Sequence, residues 1–166
     1  MINDAFEKLR DDVVKHLIEN NISITCMESC TSGLVASMLT DTAGASAIFR
    51  GSLVTYSNAT KIAAGVDAKV IEQFGVYSEE TAREMAQVVQ KLYQTDVALG
   101  VTGSTGNVDP NNPDSVIGQV HYAILIKGRM NSFTCKPDVS ALNRKEIKQL
   151  YAEEIFRSLY ALLHLD

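Results

Sequence analysis

The chain has 166 residues, of which 46% are hydrophobic and 21% charged, with a net charge of −5 at pH 7. That is enough for one globular domain with a real core, and it argues against nucleic acid as the main partner. The densest basic stretch, Arg144 to Lys148, holds three basic residues with Glu146 among them, and no apolar run approaches the roughly 20 residues of a membrane span. The opening Met1-Ile2-Asn3-Asp4 shows no signal-peptide pattern, and three cysteines do not suggest a disulfide framework, so the expected setting is cytoplasmic.

Asn3 or Asp4 can cap a first helix, whose apolar positions Phe6, Leu9, Val13 and Leu17 recur at helical spacing until Asn20-Asn21. Ile22 to Met27 reads as a strand and Leu34, Val35, Met38, Leu39 as a helix, with a sharp polar turn between them. Asp41 to Ser46 is a small loop around Gly44. Ile48 to Tyr56 is a second strand, broken by Gly51-Ser52, and Ser57-Asn58 caps a helix before Lys61. Val66 to Phe74 gives a short helix. Ser78 starts a better one, with Glu79 and Glu80 suiting its dipole and Ala82, Met85, Val89, Leu92 forming its apolar side.

Val97 to Val101 is the kind of apolar strand that is buried on both faces. A Gly-, Asn-, Asp- and Pro-rich loop spans Thr102 to Ile117. Gly118 to Ile126 and Asn131 to Cys135 then form a hairpin across Lys127-Gly128-Arg129. Ile147, Leu150, Tyr151, Ile155, Leu159 and Leu162 mark a long C-terminal helix. The pattern predicts a single α/β domain over residues 1–166: three layers, with a mixed, mostly parallel sheet flanked by helices.

The chemistry is expected at Cys26-Met27-Glu28-Ser29-Cys30-Thr31-Ser32-Gly33, where a strand turns sharply into a helix. Such a turn gathers free N–H groups around a hydroxyl and can hold a developing oxyanion. Ser29 is the leading nucleophile, with the N–H groups at Cys30 and Thr31 as oxyanion donors. It needs a base. His16, His121 and His164 are poorly placed by sequence and read better as surface or packing residues. Lys61 follows the end of a strand, and strand ends in a parallel sheet converge on one edge, so it can meet Ser29 there. Burial would have to lower its pKa; the alternative is an ordinary solvated helix lysine.

Tyr56 relays a proton, holds a substrate hydroxyl, or is a half-buried strand aromatic. Glu28 either orients the turn through backbone hydrogen bonds or simply caps it. Cys26 and Cys30 lack C-x-x-C spacing, and no His/Cys/carboxylate cluster has metal-ligand spacing. Thr102-Gly103-Ser104-Thr105-Gly106-Asn107 follows a strand as a phosphate- or ribose-binding loop would, without a standard nucleotide signature.

These residues resemble a known family, the C-terminal domain of the competence/damage-inducible protein CinA, which includes stand-alone nicotinamide-mononucleotide deamidases. The similarity runs through Glu28-Ser29-Cys30-Thr31 with Gly33 to Ala36, Gly44-Ala45-Ser46 with Phe49, and Val54 to Asn58 with Lys61. It continues through Gly65-Val66, Gly75-Val76, Ser78-Glu79-Glu80, Glu84-Met85-Ala86, Thr102-Gly103 and Gly118-Gln119-Val120.

The resemblance implies hydrolysis of the nicotinamide carboxamide, releasing ammonia and nicotinic acid mononucleotide, without metal or organic cofactor. It places the nucleophile at Ser29, the lysine at Lys61, the tyrosine at Tyr56 and a phosphate-binding arginine at Arg144. Glu28, Gly33 and the loop Thr102, Gly103, Ser104, Thr105, Gly106 then serve substrate binding. A small-molecule nucleotide is the expected partner, and a homo-oligomer, most simply a dimer, the expected assembly. Two departures stand out. The family has two glycines where this chain has Ser32-Gly33, so a Cβ is expected to narrow the substrate's approach. Its glycine-rich loop with a Lys-Pro pair is replaced here by the Asp/Asn-rich segment Val108 to Ile117. That leaves open a ligand-binding or regulatory protein without turnover, or a hydrolase of a related amide.

Overall fold

A computed structural model describes residues 4–164. The elements in chain order are α1 (Asp4–Glu19), β1 (Ile24–Glu28), α2 (Leu34–Thr40), a 3-10 turn (Ala45–Ala47), β2 (Phe49–Val54), α3 (Asn58–Ala64), α4 (Ala68–Phe74), α5 (Glu79–Tyr93), β3 (Val97–Gly103), β4 (Val120–Ile126), β5 (Arg129–Cys135) and α6 (Arg144–Leu162). The strands form one sheet in the order β2-β1-β3-β4-β5. β1 is parallel to both neighbours, and β4 is antiparallel to both of its own. Four strands therefore point one way and only β4 runs against them.

Helices cover both faces, which is why every residue of β1 and β3 is buried. On one face α1, α2 and α6 enclose the larger core, where Phe6 meets Phe156 edge-on with centroids 5.9 Å apart. On the other, α5 lies directly on the sheet, with Met85 and Val89 packed against Met27 and Ala98. Each such fully buried side chain stabilises the fold by about 1.5–3 kcal/mol relative to exposure. Gly100 sets how closely α5 approaches. A Cβ there would overlap the Ala82 carbonyl oxygen and stand 2.7 Å from the Ala86 nitrogen.

The fold agrees with the pattern in the sequence, with local differences. The Asn3 cap lies outside the described residues. The break at Gly51-Ser52 is a bulge inside β2: between the Ile24↔Phe49 and Cys26↔Ser52 pairs, Thr25 of β1 faces two residues of β2, Arg50 and Gly51. Gly51 absorbs it at φ 137°, where the Tyr93 ring leaves no room for a Cβ. The hairpin turns on Lys127 and Gly128 alone, both at positive φ, as a two-residue turn requires, so Arg129 belongs to β5. No described helix is long and apolar enough to cross a membrane. The C-terminal ends of β1, β2 and β3, at Glu28, Val54 and Gly103, come together at one edge of the sheet.

Candidate active site

The turn after β1 is organised by a buried carboxylate. Glu28 is 0% exposed, and its oxygens accept from the Thr31 hydroxyl at 2.6 Å and from the N–H groups of Gly33 (3.1 Å), Val35 (3.1 Å) and Ala36 (2.9 Å). Gly33 sits at the N-cap of α2 with no side chain to satisfy those donors, so Glu28 does so from the preceding strand. Its negative charge also suits the positive end of the helix. Of the two readings of Glu28, the geometry selects the one that orients the turn. Its carboxylate is committed there and does not reach the cavity. Gly33 and Thr31 belong to the same scaffold and neither lines the cavity: Thr31 is 0% exposed with its hydroxyl on Glu28.

Lys61 comes from the other side. Ser57 caps α3 through a capping box with Thr60, which puts Lys61 on the helix face turned towards β1. It is 1% exposed. Its Nζ donates to the Ser29 Oγ at 3.0 Å and to the Thr55 carbonyl at 2.8 Å. Burial lowers its pKa to about 8, against smaller opposing effects of Cys30 and Asp109. A neutral fraction of roughly a tenth thus exists at pH 7 and grows as pH rises, beside a hydroxyl within proton-transfer distance. The solvated-lysine alternative does not hold for a side chain this deep. Cys30, by contrast, is pushed up to about 12 by burial and by Glu28, so it is a thiol and no competing nucleophile.

Ser29 and Cys30 open onto a cavity of about 450 Å³, a size typical of small-molecule sites. Tyr56 and Arg144 are on its wall. The Arg144 guanidinium donates to the Tyr56 hydroxyl at 2.7 Å and to Asn107 Oδ1 at 3.2 Å. Arg144 is the first residue of α6, set by an Asn143–Glu146 capping box, so a residue far away in sequence reaches the site as expected.

The loop after β3 divides. Gly103, Ser104 and Thr105 line the cavity. Thr102 does not: it is fully buried and its hydroxyl donates to the Val76 carbonyl at 2.9 Å. Gly106 is exposed and stands outside the lining. Ser32 is also exposed and away from the cavity, so its Cβ does not narrow the approach; its effect is local, a left-handed backbone at φ 54°.

Of the lining residues that were not anticipated, Asn58, Tyr77, Asp109 and Asn112 form one hydrogen-bonded network. Asp109 accepts from the Tyr77 hydroxyl and from Asn112 Nδ2, both at 2.7 Å, and Asn58 Nδ2 donates to Asn112 Oδ1 at 3.0 Å. The hydrogen bonds from Asn112 and Tyr77 lower the Asp109 pKa, and burial together with Asp109 raises that of Tyr77. The only signal in the sequence was that this Asp/Asn-rich loop follows a buried strand. Among the described residues, no group of three or more His, Cys, Asp or Glu is arranged to hold a metal ion.

The family model for the CinA C-terminal domain matches residues 6–163. A CinA-like protein of Chlorobium limicola is 35% identical over 158 residues, covering 93% of this chain and 37% of that protein. One of Fervidobacterium nodosum is 36% identical over 129 residues, covering 77% of this chain and 31% of that protein. The chain thus spans about a third of the length of these curated relatives. The crystal structure of a competence/damage inducible protein, CihA, from Agrobacterium tumefaciens superposes with a TM-score of 0.84 at 28% identity, covering 98% of each chain. That of a competence or damage-inducible protein from Enterobacter asburiae, at 23% identity, shares the fold with a TM-score of 0.88 over 97% of this chain and 99% of that one. The chain belongs to the CinA C-terminal domain family.

Proposed function

We propose that this protein is an amidohydrolase that releases ammonia from nicotinamide mononucleotide through a Ser–Lys pair. One observation carries the reading: the buried Lys61 Nζ at 3.0 Å from Ser29 Oγ, with its pKa brought down to about 8. The substrate class rests on the family resemblance, together with a cavity that combines a nucleophile with Arg144 as a phosphate partner.

Neutral Lys61 takes the Ser29 proton as Oγ attacks the carboxamide carbon. The N–H group of Cys30, which lines the cavity, receives the oxyanion. Lys61 returns the proton to the departing nitrogen, ammonia leaves, and a nicotinoyl ester remains on Ser29. Water then attacks that ester, losing a proton to Lys61, which passes it back to the Ser29 oxygen as nicotinic acid mononucleotide departs. The Thr55 carbonyl holds the lysine aligned in both halves. Tyr56, whose oxygen accepts from Arg144, keeps its own O–H for the substrate.

The test is ammonia release from nicotinamide mononucleotide by the purified protein beside Ser29→Ala and Lys61→Ala, with chelator present throughout. The expected result is turnover in the unmodified protein and loss of at least ~10³-fold in either variant, since members of such a unit fail together. Turnover unchanged in Ser29→Ala would end this mechanism. A silent unmodified protein that still binds the nucleotide would instead mark a ligand-binding protein.

A further inference from the structure

Two side chains of opposite charge line one cavity without neutralising each other. Arg144 donates to Asn107 and to Tyr56, both neutral acceptors. Asp109 accepts from Tyr77, Asn112 and the Asn111 N–H (2.9 Å), all neutral donors. Neither enters any of the ion pairs among the described residues. The Asp109 carboxylate is also held from outside its own loop, because Asn58 of α3 fixes Asn112 and Tyr77 precedes α5. A solvated loop aspartate needs no such support; one that must present a fixed charge to a ligand does.

We propose that Asp109 is a specificity-determining residue that makes the cavity select a zwitterion: a cationic, N-substituted pyridinium ring attracted by Asp109, with an anionic phosphate on Arg144. This rests on the deamidase reading for the identity of the ring and extends it by assigning the ring's charge, and not only its amide, to recognition. A pyridinium nucleotide carries that charge. Its reduced dihydropyridine form has the same amide, ribose and phosphate with a neutral ring, so comparing the two reads the ring's charge, and repeating the comparison in Asp109→Asn assigns it to Asp109.

The experiment is calorimetric titration of Ser29→Ala protein, which prevents turnover, with nicotinamide mononucleotide and with its reduced form, repeated in Ser29→Ala/Asp109→Asn. Attraction between partly solvated charges predicts roughly tenfold tighter binding of the oxidised form at low salt, falling towards parity in the double variant. Equal affinities, tighter binding of the reduced form, undetectable binding of both, or a preference undiminished by Asp109→Asn would each overturn the proposal. If thermal melting shows that the double variant does not fold, the salt series on Ser29→Ala decides. A charge-based preference must shrink as salt rises towards about 1 M, and a salt-independent one overturns it. The deamidase reading fails separately. A preference for the oxidised form without ammonia release from the unmodified protein leaves the charge selection standing and removes the deamidase; ammonia release without the preference does the reverse.

Discussion

The Tyr56 hydroxyl accepts a hydrogen bond of 2.7 Å from Arg144, joining the end of β2 to the start of α6 across 88 residues of chain. Both lie on the cavity wall, and the same guanidinium reaches Asn107 on the loop after β3. Three separate segments are thus clamped by one planar cation that still has donors left for a ligand.

Removing that cation should therefore act on binding of the phosphate. Arg144→Ala is expected to raise KM for nicotinamide mononucleotide by roughly 10- to 100-fold, the equivalent of a lost charge-assisted pair. Arg144→Lys should recover only part of it, because a point charge cannot make the paired contact. Nicotinamide riboside, which has no phosphate, should be nearly indifferent to either change. An equal loss on the riboside would assign Arg144 to holding Tyr56 and the loop instead.

Lys61 makes both activity and stability depend on pH. The mechanism uses the neutral amine, so kcat/KM should rise along an acidic limb with its midpoint near the pKa of about 8. Lys61→Arg, which never loses its proton, should be inactive at any pH. For stability, the folded-state pKa lies below the ordinary lysine value of 10.5. Below pH 8 both states are protonated and the folded state carries the full desolvation penalty. Between the two pKa values only the unfolded state holds the proton, so stability rises with pH; above 10.5 the penalty is gone. Relative to Lys61→Met, the unmodified protein should gain on the order of 3 kcal/mol across that window. Denaturant unfolding at a series of pH values reads this directly, and a flat difference would mean that the buried lysine is not charged at pH 7.

Glu28 tests how much the Ser29 turn depends on its scaffold. Glu28→Gln keeps the shape but replaces an acceptor oxygen with an NH2 group facing the donors at Thr31, Gly33, Val35 and Ala36. In its better orientation the NH2 stands at Oε1, where the Ala36 N–H loses its partner and meets another donor, which costs about 2–3 kcal/mol; at Oε2 it would face Thr31, Gly33 and Val35 together. The expected outcome is a lowered midpoint of thermal unfolding together with a fall in kcat, because the same turn aims the Ser29 hydroxyl. A drop in stability with kcat unchanged would show that the turn holds Ser29 without the carboxylate.

The elements were legible because each announces itself locally. Phe6, Leu9, Val13 and Leu17 repeat with the helix period, Ser78 is followed by two glutamates, and Val97 to Val101 is an apolar run with covered faces. The Ser29–Lys61 meeting followed from topology, since two parallel strands end at one edge of the sheet. Glu28 was ambiguous because its partners at Val35 and Ala36 come within reach only when α2 folds back over the end of β1. Thr102 looked like part of a ligand loop, but β3 runs on through Gly103 and turns the Thr102 side chain towards Val76. Asp109 was legible only as one member of an Asp/Asn-rich segment after a buried strand. Its importance lies in Tyr77, Asn112 and Asn58, brought together by the fold with no spacing to signal it.

Asp109 also acts on Lys61, and the sign can be checked. Burial lowers the lysine's proton affinity while the negative charge of Asp109 raises it, so the value of about 8 is a balance. Asp109→Asn removes only the second influence. The acidic limb of kcat/KM should therefore move to lower pH, leaving a larger neutral fraction of Lys61 at pH 7. Any loss of affinity for a cationic ring lowers the plateau and leaves the midpoint alone, so amplitude and position report separate roles. Following ammonia release from about pH 6 to 10 for both proteins measures the two together. A midpoint that stays put or climbs would show that the Asp109 charge does not reach the base, whatever it does to the ligand.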